Sequence, residues 1–123
     1  MGVWGAENFG NDAACDFVQS AVVEPLTAQL RRIVENPALA DPEEHASFEV
    51  MAAVEILAVL GEAVSAHPPP SQLVEDCRDL CLRGWDEGID KLSPKPGYKE
   101  ERRAVIADTF ERLLKVCRHW ESL

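Results

Sequence analysis

From residue 13 onward, apolar positions recur every three or four residues, and segments of that kind are separated by prolines. Ala13, Ala14, Phe17, Val18, Ala21 and Val22 form one such stripe, which predicts an amphipathic helix. Pro25 has no N–H to give to the residue four back, so this helix is expected to kink or stop near Val23 or Glu24. Pro25 also suits the first turn of a new helix, which Leu26, Leu30, Ile33 and Val34 continue as far as Asn36-Pro37. Residues 12–35 therefore read as one broken helix.

Asp41-Pro42-Glu43-Glu44 is the clearest start signal in the chain: an acidic cap, a proline at the first helical position, and a glutamate three residues after the cap. A helix is predicted over 41–64, ending before Pro68-Pro69-Pro70. Its stretch from Val50 to Leu60 is apolar on nearly every side, the pattern of a surrounded helix, and it reads as the spine of the fold. Ser71 is the expected cap of a helix over 71–92, carried by Leu73, Val74, Cys77, Leu80, Cys81, Trp85, Ile89 and Leu92. Gly84 and Gly88 flank Trp85 and weaken a helix by about 1 kcal/mol each relative to Ala. Either the helix bends there or another backbone comes close. Beyond the turn-forming Ser93-Pro94-Lys95-Pro96-Gly97, a last helix over 98–121 aligns Ile106, Phe110, Leu113, Cys117 and Trp120.

No segment alternates as a strand does. The expected fold is all-α: one domain over 1–123, a compact bundle of about four main helices with a kinked or broken first helix. Residues 1–11 differ from the rest. They hold three glycines and two large aromatics without helical period, and read as an irregular N-terminal plug that closes one end of the bundle.

Composition narrows the function classes. Of 123 residues, twelve are basic and twenty-two acidic, a net charge of −10 that repels a phosphate backbone and argues against nucleic-acid binding. The same charge attracts a basic protein partner. No apolar run is long enough for a membrane span; the longest, Ala52–Leu60, is interrupted by Glu55. There is no basic start followed by an apolar run, and Ala6 stands where a myristoylation motif needs Ser or Thr, so the expected location is the cytoplasm. Cys15, Cys77, Cys81 and Cys117 form no C-x-x-C pair and read as reduced thiols of the interior. No cofactor is implied.

The opening segment has the form M-G-x-W-G-x-x-x-F-x-N-D-x-A-x-D-F, filled by Gly2, Trp4, Gly5, Phe9, Asn11, Asp12, Ala14, Asp16 and Phe17. With the downstream run Ala-Ala-Val-Glu-Ile-Leu-Ala-Val-Leu-Gly, it resembles a family of small bacterial proteins known only as a domain of unknown function. That resemblance implies an all-helical cytoplasmic domain and no particular activity.

Physically, Gly2 and Gly5 let the chain turn around Trp4, while Trp4 and Phe9 anchor the segment, each contributing about 2–3 kcal/mol if enclosed. Asn11 or Asp12 supplies a helix cap, and Asp16 follows one turn later. Glu55, set in the apolar spine, is expected to be an acceptor for the N-terminal segment. The competing reading gathers Asp12, Asp16 and Glu55 around a divalent cation.

Three functions follow. The favoured one is a small acidic interaction module, a regulator or an immunity-type inhibitor of a basic partner. The second is a carboxylate–metal hydrolase of the helical nucleotide-hydrolase kind. The third is a homo-oligomeric structural domain docking through Trp85 between Gly84 and Gly88. Signatures of serine, P-loop or Cys–His chemistry do not occur.

Overall fold

The computed structural model describes residues 2–123. It has five helices, α1 (Asp12–Val18), α2 (Glu24–Glu35), α3 (His45–Val64), α4 (Ser71–Gly88) and α5 (Tyr98–Glu121). Short 3-10 turns at Pro37–Ala40 and Ile89–Leu92 follow α2 and α4. Among the described residues the only β pairing is a single antiparallel bridge between Val3 and Asn11. The all-α bundle expected from the periodicity is what the chain forms.

The interruption at Pro25 takes a specific form. The backbone stays helical from Asp12 to Glu35 but widens into a π turn at Gln19–Val23, where the N–H of Glu24 donates to Gln19 O. The wider turn relieves the clash that a proline ring makes with the carbonyl four residues back. Two hydroxyls bond carbonyls on either side of it: Ser20 Oγ donates to Asp16 O at 3.0 Å and Thr27 Oγ1 to Val23 O at 2.7 Å.

Two predicted caps do not form. The Asp41 carboxylate does bond the N–H of Glu43 at 2.8 Å, but this closes a turn ahead of the helix, and α3 begins only at His45. Lys91 Nζ, 2.6 Å from Asp41 Oδ2, holds the carboxylate in that turn. Ser71 is the first helical residue of α4 and makes no side-chain cap; its N–H donates instead to the carboxylate of Glu121, 3.3 Å away at the far end of α5. A tertiary neighbour thus supplies the acceptor that local sequence was expected to provide.

The four long helices close a ring in which α3 packs on α2 and α5, and α4 packs on the same two. Phe110, Leu113 and Leu114 of α5, Leu30 and Ile33 of α2, Val50 and Val54 of α3, and Val74 and Cys77 of α4 are fully buried in its centre. Since α3 stands at a corner, it is not the surrounded spine that its composition suggested. Phe48, Ile56 and Val59 remain 44–50% exposed on its outer side.

The paired glycines of α4 mark a close approach, not a bend. A Cβ on Gly84 would lie 2.5 Å from Ala40 O, and one on Gly88 would lie 2.6 Å from the Pro42 ring. The Pro37–Ala40 turn rests directly on this face. Trp85 between them is 4% exposed, and its indole N–H donates to Lys99 O at 3.1 Å. It is an interior side chain joining α4 to α5, which removes it as a docking surface.

Candidate functional site

Residues 2–12 form a closed loop. Trp4 N–H and Gly5 N–H donate to Gly10 O at 2.8 and 3.2 Å, Gly10 N–H to Glu7 O at 3.0 Å, and Asp12 N–H to Gly2 O at 2.6 Å. Asn11 Oδ1 accepts the N–H of Ala14 at 2.8 Å, so Asn11 is the cap that starts α1. The glycine this loop requires is Gly10: it is buried, and a Cβ there would lie 2.9 Å from the carbonyl group of Gly5. Only flexible side chains, Asp12 and Glu7, stand against Gly2 and Gly5, and Gly5 has no positive φ.

The loop does not plug the bundle. Trp4 is 61% exposed and Phe17 68%, whereas Phe9 is half-buried against the core. Between this loop and the opposite end of α3 and α5 lies a cleft of about 1080 Å³. Trp4, Glu7, Asn8 and Phe9 of the loop line one side, with Cys15, Asp16, Val18 and Gln19 behind them. The other wall is Ala63 to His67 together with Trp120. Such a volume is at or above the range of small-ligand sites, about 300–1,000 Å³, and suits a segment of chain as well as a small molecule.

Each wall has a local cause. Ser65, with φ 54°, ends α3 in the left-handed conformation and turns the chain toward the proline triplet. Gln19 Nε2 then donates to His67 O at 3.1 Å, tying the π turn to that loop across the floor of the cleft. His67 Nδ1 lies 2.9 Å from Pro68 O, which places a proton on Nδ1, and its ring sits 4.7 Å from that of Trp120 in a tilted arrangement. Cys15 Sγ donates to Phe9 O at 3.6 Å. The charged side chains lining the cleft are the carboxylates of Glu7 and Asp16, and neither Lys nor Arg contributes. It is therefore an aromatic-walled, anionic trough, suited to attracting cations and holding apolar side chains against indole rings.

Of the residues singled out from sequence, Trp4, Phe9 and Asp16 line this cleft and Asn11 starts the helix beside it. Asp12 is exposed at the base of the loop. Glu55 is elsewhere: it is exposed on the outer side of α3, where its charge acts on Arg112 of α5, so it accepts nothing from the N-terminal loop. Asp12, Asp16 and Glu55 do not converge, and no three His, Cys, Asp or Glu among the described residues are grouped closely enough to hold a metal ion. The carboxylate–metal hydrolase loses its ligand set. Cys15, Gln19, His67 and Trp120 also line the cleft, with no local sequence signal that marks them as site residues; the apolar face of α5 that ends in Trp120 runs past the end of the bundle into the cleft.

The fold and the cleft can be set beside known proteins. The model of the family described as Domain of unknown function (DUF4259) matches residues 2–121. The chain belongs to the DUF4259 family. That agrees with the unknown-function family implied by the opening motif, and it assigns no specific function. No curated protein and no solved structure matches this DUF4259 chain. Among its described residues no helix is long and apolar enough to cross a membrane.

Proposed function

We propose that the chain is a small acidic protein-interaction module, a regulator or immunity-type inhibitor, whose cleft takes a basic segment of a partner protein carrying an apolar anchor. The observation behind this reading is a 61% exposed tryptophan at the edge of a large cleft whose full charges are all carboxylates. Exposed tryptophans beside clefts are typical of binding surfaces, where they contribute far more than their share of affinity. The overall charge of −10 adds long-range attraction for a basic partner. A cytoplasmic location, as the sequence suggests, belongs to the same proposal.

The test is titration with synthetic peptides that alternate Lys or Arg with Leu or Phe, followed by calorimetry and indole fluorescence. Binding should weaken as salt rises from about 50 to 300 mM. Trp4→Ala and Asp16→Lys should each reduce affinity roughly tenfold or more without changing the melting temperature. Equal binding of acidic peptides, or undiminished binding by both variants, overturns the reading.

A further inference from the structure

The turn between α3 and α4 is held at three points. Gln19 Nε2 donates to His67 O at 3.1 Å, Cys117 Sγ to Pro69 O at 3.4 Å, and the Ser71 N–H to the Glu121 carboxylate at 3.3 Å. Pro68 and Pro69 are buried between these ties, while His67 stays exposed on the wall of the cleft. Its ring thus stands on a stiff support, with the Trp120 ring 4.7 Å away. The tie from Gln19 uses the main chain of His67, which any residue would supply, so the fold does not require an imidazole at this point.

The carbonyl beside the ring sets its chemistry. The Pro68 oxygen can only accept, so Nδ1, 2.9 Å away, carries the proton of the neutral ring. Nε2 then holds a lone pair, and no group among the described residues bonds it. On protonation both nitrogens become donors and the ring gains a positive charge.

We infer that His67 is a recognition residue of the cleft and makes its hold on the partner depend on pH. The neutral ring accepts an N–H of the partner's basic side chain at Nε2; the protonated ring repels that side chain and releases the partner. This rests on the reading of the cleft as a site for a basic segment. The groups around the ring leave His67 alone in the role. Glu7 of the N-terminal loop and Asp16 of α1 line the cleft with the Cys15 thiol, whereas Ala63 to Ala66, at the end of α3 and just beyond it, carry no charge. From α5 comes Trp120; Glu121 is tied to Ser71, and His119 lines the adjoining cavity instead. Carboxylates in general titrate below about pH 5 and thiols above about pH 8, so between about pH 5.5 and 7.5 an imidazole is the group that changes charge. Acid in that range removes an acceptor from the cleft and offsets part of the attraction of its two carboxylates.

The probe is a peptide alternating Arg with Leu, since a guanidinium keeps its charge throughout this range. Titrated by indole fluorescence at about pH 7.5 and 5.5, the wild type should bind it roughly tenfold or more weakly at the lower pH. His67→Gln, whose amide oxygen accepts but whose side chain takes up no charge, should bind alike at both. His119→Gln should keep the wild-type dependence. Calorimetry of the wild type at about pH 6, in two buffers of different ionisation heat, reads the same coupling without a variant: by reciprocity, peptide binding must expel part of a proton from the protein. Equal wild-type affinity at the two pH values, a pH dependence kept in His67→Gln, or binding without proton release overturns this inference and leaves the cleft a site for basic segments. No binding at any pH overturns the proposed function and this inference with it.

Discussion

A methyl group added to Gly84 would lie 2.5 Å from the carbonyl oxygen of Ala40 and 2.8 Å from its carbonyl carbon. The obstacle is backbone, held in the Pro37–Ala40 turn, so it cannot swing away as the end of a long side chain could. Gly84→Ala gains up to about 1 kcal/mol of helix propensity but forces this contact open at about 1–3 kcal/mol. Urea unfolding should show a net loss of about 1–2 kcal/mol. A neutral or stabilising result would mean that the turn does not rest on α4.

Trp4 and Trp85 should behave as opposites. Trp4→Ala removes a 61% exposed ring and should change stability by less than about 0.5 kcal/mol. Trp85→Ala empties a site that is 4% exposed and removes the donor to Lys99 O, at a cost of about 3–5 kcal/mol. Combining Trp4→Ala with Glu55→Ala should give additive, small effects, because the two residues share no neighbour. Thermal melts of the single and double variants measure all three.

The cysteines should separate in reactivity. The hydrogen bond to Cys81, whose Sγ is 3.9 Å away, together with burial, pushes the Cys77 thiol far above its ordinary value. Burial pushes Cys117 up to about 11. Thiolates are the reactive species, so iodoacetamide at about pH 8 should modify Cys15 at the cleft well before Cys77 or Cys117. Peptide mass spectrometry over a time course reads the order, and urea should abolish it.

Acid should weaken the fold through three surface carboxylates. A hydrogen bond from Lys91, aided by the Glu43 amide, holds Asp41 below the ordinary carboxylate range. Hydrogen bonds from Arg103 and Arg112 do the same for Asp86 and Glu62. Each group is more acidic folded than unfolded, so its contribution is present at neutral pH and is lost as pH falls below about 5 and through the folded values. Solvent screening keeps each contribution small. The triple variant Asp41→Asn, Glu62→Gln, Asp86→Asn should therefore unfold at lower urea than wild type at neutral pH. That gap should narrow at about pH 2; an unchanged gap would show that the ion pairs do not stabilise the fold.

Helix faces and proline boundaries were legible in the sequence because they depend on contacts within one or two turns. The stripe Ile106, Phe110, Leu113 and Cys117 is buried as its spacing predicts, and the irregularity before Pro25 appears within residues of its expected place. Asn11 caps α1 with its own side chain, so it too could be read locally. The caps at Asp41 and Ser71 failed for the converse reason: Lys91 and Glu121, fifty residues away in the chain, compete for the same groups. Part of the site was also legible, since Trp4, Phe9 and Asp16 do meet at one cleft. Its other wall was not, because no local pattern connects Gln19 to His67 or His67 to Trp120.

Composition and period alone determined that this chain is an acidic, all-helical bundle and where its helices divide. Only the tertiary structure decided which apolar residues are interior. Period reports that a helix has an apolar face but not how many neighbours will cover it. Hence Trp85, with Ala40 and Pro42 against its flanking glycines and Lys99 accepting its N–H, went inside. Ile56 and Val59, equally apolar on paper, were left outside on α3 because four helices in a ring give each member only two neighbours, and Trp4 stays exposed at the cleft because its loop does not cover the bundle.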